Sequence, residues 1–95
     1  MEILGPHDWV AISFRAPRLT RRVDVEIDCA HTVHVWALPD DEVSQFSTGG
    51  TFEYYTKAKM TAGTLRFTPD RGKDWALILE NRHDFEIHVH CDVTW

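Results

Sequence analysis

Apolar side chains recur at every second position along most of this chain, in short runs bounded by turn residues. That period belongs to half-buried β-strands. The clearest run is RVDVEIDC at 22–29, where Val23, Val25, Ile27 and Cys29 share one face and Asp24, Glu26 and Asp28 share the other. Successive strand side chains point to opposite faces, so this segment has one apolar and one acidic surface.

The same alternation runs through 9–15, with Val10, Ile12 and Phe14 on one face, and through 52–60, with Phe52, Tyr54, Ala58 and Met60 inward. Leu65 and Phe67 mark 64–68, and Trp75, Leu77 and Leu79 mark 75–80. Phe85, Ile87, Val89, Cys91 and Val93 mark 85–95. In 33–38 both faces are partly apolar, which suits a central strand or one covered by a loop. The segment PDDEVSQFSTGG opens with acids, spaces Val43 and Phe46 three apart and closes on Gly49 and Gly50. It reads as one or two helical turns near 40–47.

These runs amount to about seven short strands joined by loops too short for parallel crossovers. The predicted fold is all-β: a two-sheet antiparallel β-sandwich of jelly-roll type, forming one domain over 1–95. A core this small leaves little room for a deep pocket. The sequence stays in strand register up to Trp95, which leaves open a complete protein or a domain of a longer one.

The order of features resembles small jelly-roll accessory domains, the bacterial pre-peptidase C-terminal domains and the GOLD domains of secretory cargo proteins. The likeness spans roughly 9–95. It rests on the VDVEI strand, the acidic turn in ALPDDEVSQF, the TAGTLRFTP strand, the DRGKDWALILEN strand and the alternating FEIHVHCDVTW. Lys73 and Asp74 separate the glycine of DRGKDW from its aromatic, where the family places the two together. The resemblance implies an accessory binding module without catalysis.

Fifteen acidic against ten basic residues give a formal charge of −5. Nucleic-acid binding needs a cationic surface to release counterions, so nucleic acid is a poor default partner. No apolar run reaches a membrane span, and MEILGPHDW lacks the basic and apolar regions of a signal peptide. The expected compartment is the cytoplasm, with Cys29 and Cys91 as free, buried thiols. If 85–93 pairs antiparallel with 22–29, Cys29 falls near Phe85 and Cys91 near Val23, too far apart for a disulfide.

No G-x-S-x-G setting surrounds Ser13, Ser44 or Ser47, and no phosphate-binding or dinucleotide fingerprint occurs, so no enzymatic activity is expected. His88 and His90, flanked by Glu86 and Asp92, share one strand face, with Asp24, Glu26 and Asp28 expected beside them. Two histidines and a carboxylate could begin a zinc shell, but typical sites use three or four fixed ligands, so a solvated strand face is the preferred reading and no metal or other cofactor is expected. Cys29, His31, His34, His90 and Cys91 resemble a ligand set, but the cysteines alternate inward while His34 and His90 alternate outward. Arg15, Arg18, Arg21 and Arg22 form a basic loop suited to phosphate or an acidic protein.

The expected function is a non-catalytic interaction module that binds a protein partner, with self-association as a variant. The expected docking face is the outer side of 33–38, 52–60 and 75–80. Trp36 and Tyr55 would anchor it beside Leu38 and Ile78, and Lys57 and Lys59 would rim it. The rivals are a module for carbohydrate or a metal ion and, third, a small hydrolase. Fold alone does not choose among them.

Overall fold

The computed structural model describes residues 1–15 and 21–95, so Pro17 and Arg18 of the basic loop lie outside the described residues. Six strands are present among them: β1 Glu2–Leu4, β2 Trp9–Phe14, β3 Val23–Pro39, β4 Thr56–Phe67, β5 Trp75–Glu80 and β6 Ile87–Thr94. A 3-10 turn at Asp40–Glu42 leads into one short helix, α1, at Val43–Ser47. Every strand pairing is antiparallel, so the all-β antiparallel expectation holds.

Strand β3 organises the sheet. One of its edges pairs with β6 over Asp24–Cys29 and then with β5 over His34–Pro39, while its other edge pairs with β4 along both stretches. β1 flanks β6, and β2 flanks β5. All six strands therefore belong to one connected, nearly barrel-shaped sheet in the order β1-β6-β3-β5-β2, with β4 across β3.

Two segments expected as separate strands, 22–29 and 33–38, are the two halves of β3, and 52–60 with 64–68 supply β4. The join in β3 is a bulge. Between the pairs Asp28–Ala62 and Val33–Met60, β3 advances five residues and β4 only two. Extra residues in one strand bend it sharply and increase its twist. A straight 17-residue strand would run roughly 55 Å, longer than the 39 Å long axis of the molecule. The bend lets both halves of β3 face one interior.

That interior collects Val23, Val25, Ile27, Val33, Val35, Trp75, Leu77, Leu79, Ile87 and Val89, all buried. At one end, Phe14 stacks on Trp75 at 4.2 Å, Trp75 meets Phe67 edge-on, and Phe67 stacks on Tyr55. Four side chains depart from simple alternation: Phe52, expected inward, packs outside this core against Phe46. Tyr54 and Phe85, expected inward, are both 45% exposed, whereas Tyr55, expected outward, packs against the core. The cause is where pairing starts: β4 begins only at Thr56 and β6 at Ile87, so period two does not hold ahead of them.

Candidate functional site

The outer side of the β3–β5 half is closed by the chain itself. Phe46 of α1 meets both Trp36 and Trp9 edge-on at 5.1 Å, and Phe52 meets Phe46 at 5.5 Å. Val43 and Ala11 complete this second small core. Trp36 keeps 8% of its surface, and Leu38 and Ile78 keep none. The apolar patch expected from Trp36, Leu38, Tyr55 and Ile78 is thus covered, because segment 40–52 folds back over it and Tyr55 turns to the other face. His34 stacks beside Trp36, and the Arg82 guanidinium lies over the indole at 5.7 Å. Burial first, and then the charge of Arg82, pull the His34 pKa below the ordinary imidazole value.

Lys57 and Lys59 stay exposed on this side, opposite Trp36 and His34 in the β3–β4 register. Lys57 Nζ sits 5.3 Å from the centre of the exposed Tyr54 ring. Neither lysine has a carboxylate partner among the described residues, whereas Arg82 is tied to Glu80 at 2.6 Å.

The other half of the sheet has a bare outer face. The register pairs Asp28 with His90, Glu26 with Asp92 and Asp24 with Thr94, so β6 sets its histidines beside the β3 carboxylates. Across β3, Ala62 and Thr64 of β4 stand opposite Asp28 and Glu26. These small side chains, with Gly63, leave an open depression lined by Glu26, Asp28, His90 and Asp92. Gly63 has φ +148°, a backbone conformation that favours glycine, whereas the one contact a Cβ there would make, with Met60 Cε at 2.9 Å, is with a flexible side-chain end that can move aside.

Three carboxylates of this depression, Glu26, Asp28 and Asp92, have no ion pair among the described residues. Their neighbours are matched: Asp24 lies 3.1 Å from Arg22 and 3.7 Å from Arg66, and Glu86 lies 3.0 Å from His88. No group of three or more His, Cys, Asp or Glu side chains is arranged to hold a metal ion among the described residues. The cysteines are both free; Cys29 is buried as expected, whereas Cys91, expected to be buried, is only partly so, lying near the end of the chain's last strand. Cys29 pairs with Val89, and Cys91 with Ile27, which brings the thiols four register positions closer than the expected pairing with Phe85 and Val23. Burial, reinforced by Asp92 and Glu2, pushes the Cys91 thiol up to about 11.

A polar knot that the sequence did not flag closes the other end of the interior. Asn81 is fully buried, and its Nδ2 donates to the carbonyls of Leu4, Gly5 and Phe85 while its Oδ1 accepts from the His83 backbone N–H. His83 Nε2 lies 2.9 Å from the Thr32 carbonyl in the β3 bulge and 3.1 Å from the Thr32 hydroxyl. A carbonyl only accepts, so Nε2 carries the proton and cannot act as a base toward that hydroxyl. His31 and Phe85 pack around the His83 ring. A polar asparagine directly after the apolar run WALILE was the available signal for this knot.

No family model and no curated protein sequence matches the chain. Among solved structures, the crystal structure of PirA is similar, with a TM-score of 0.55 at 16% identity over 97% of this chain and 87% of that one. At that identity the likeness is one of fold.

Proposed function

We propose that this chain is a non-catalytic interaction module, a sandwich-type domain that binds a protein partner as an accessory unit. The partner brings basic side chains to the bare face of β4, β3 and β6. One observation carries this reading: Glu26, Asp28 and Asp92 surround one depression and, among the described residues, form no ion pair with a cation. Like charges on neighbouring strands repel each other, and a lysine or arginine from outside relieves that repulsion. The depression opens to solvent between β4, β3 and β6 and is lined mainly by charged and polar side chains rather than the apolar ones of a small-molecule pocket, which favours a surface partner. The resemblance to jelly-roll accessory domains points the same way, and two free thiols fit a reducing compartment such as the cytoplasm.

The test is a titration of the isotope-labelled protein with a short arginine- and lysine-rich peptide. Amide shifts should gather at 26–28, 62–64 and 90–92, and weaken as salt rises. Variant D28N/D92N should lose them while keeping its fold. Equal binding by that variant, or shifts centred elsewhere, would reject this face.

A further inference from the structure

We infer that the free edge of β4 between Thr56 and Met60 is a docking site for an extended, acidic peptide segment, which adds to the sheet as a further antiparallel or parallel strand. β4 hydrogen-bonds to β3 on one side, and among the described residues no strand pairs with its other side. Every second residue of such an edge turns its N–H and C=O outward, a ready template for another strand.

Charge selects the occupant. Lys57 and Lys59 project from the outer face of this stretch, exposed and without a carboxylate partner among the described residues. The nearest matched pair on that face, Glu80 with Arg82, is already satisfied within β5 and the residues after it. A second copy of this chain fits poorly. Antiparallel pairing of two β4 edges would bring Lys57 and Lys59 of one copy toward the lysines or Arg66 of the other, and like charges across strands are destabilising. An added strand with carboxylates at alternate positions matches both lysines at once, since i and i+2 share a face. Its main chain supplies binding strength, and its acids supply register and choice of partner. Tyr54, 45% exposed and beside Lys57, offers apolar contact just before the strand begins. The site lies on the opposite half of the β3–β4 pair from the acidic depression, so it operates independently of any ligand there.

An eight-residue peptide of alternating glutamate and threonine is the probe, titrated into the full chain and followed by amide shifts and hydrogen exchange. Shifts should centre on 54–60, with new exchange protection on outward-facing amides of β4. Methylating alternate backbone nitrogens of the peptide should abolish binding without changing its charge. K57E/K59E should weaken binding by roughly tenfold or more, the worth of two exposed ion pairs. Equal binding of an alternating lysine–threonine peptide, or of the N-methylated peptide, would overturn the inference. So would absence of binding at millimolar peptide, or dimerisation of the free protein through β4.

Discussion

Asn81 makes four side-chain hydrogen bonds in a site closed to water, and each partner is a backbone group. Through them it fastens β1, the turn after Leu4 and the loop leading into β6. Truncation would strand several buried polar groups at once, each of which costs about 1–3 kcal/mol when left unpaired. Asn81→Ala should therefore lower stability by about 3 kcal/mol or more, read as a fall in the urea midpoint at unchanged slope. Asn81→Asp should be worse, because a carboxylate would face three carbonyl oxygens. Cys91 gives a second expectation at this scale. Its thiol keeps its proton in the fold to about pH 11 but only to the ordinary value of 9.0 when unfolded. Between those values the unfolded state alone releases a proton, so this thiol's contribution to stability is present below pH 9 and lost as pH rises toward 11. Alkylation of the native protein should stay slow at pH 8 and accelerate through pH 10, whereas a rate at pH 8 matching that of a free thiol would contradict the burial.

Helix α1 spans five residues and has no side-chain cap at its N-terminal end, while the Thr48 hydroxyl donates to the Ser44 and Gln45 carbonyls at its C-terminal end; a single turn of this kind is too little to hold itself together in water. Phe46, wedged against Trp9, Trp36 and Phe52, keeps it in place. Phe46→Ala should release hydrogen-exchange protection over 40–48 while leaving β3, β5 and β6 protected. Trp36→Ala should cost about 3–5 kcal/mol, against less than about 0.5 for Lys59→Ala, in the same denaturation experiment. The strands themselves were legible in sequence because the first half of β3 and β6 alternate over lengths that burial enforces, and because β5 is a short continuous apolar run, buried on both faces. The acidic face beside His90 followed from that parity too. Parity alone does not reveal what covers a strand. The run from Val33 to Leu38 is apolar on both faces, and only the return of segment 40–52 shows that its outer side is sealed. Nor could parity show that 22–29 and 33–38 are one strand, since the CAHT stretch between them carries no turn residue, glycine or proline, and yet holds the bend. β1 escaped notice because three residues are too few to show a period.

Across the whole molecule, pairing is mostly between distant parts of the chain: β1 lies against β6, and β3 holds strands from both its middle and its end. Loops must close before such contacts form, so refolding should take milliseconds to seconds, and a microsecond phase recovering all native fluorescence would argue against this topology. Charge is also divided: among the described residues, carboxylates without an ion pair lie on the outer face of one half of β3 and lysines without one lie on that of the other half. The bulge in β3 bears on how such a domain can change length over time. One residue gained within 24–28 or 33–37 would reverse the parity of that half of β3, exchanging core and surface side chains. A residue gained at the exposed Ala30, between the two paired stretches, reverses neither. In descendants of this sequence the bulge is where β3 can lengthen while both halves keep their faces, and it is the place in that strand to graft a new loop.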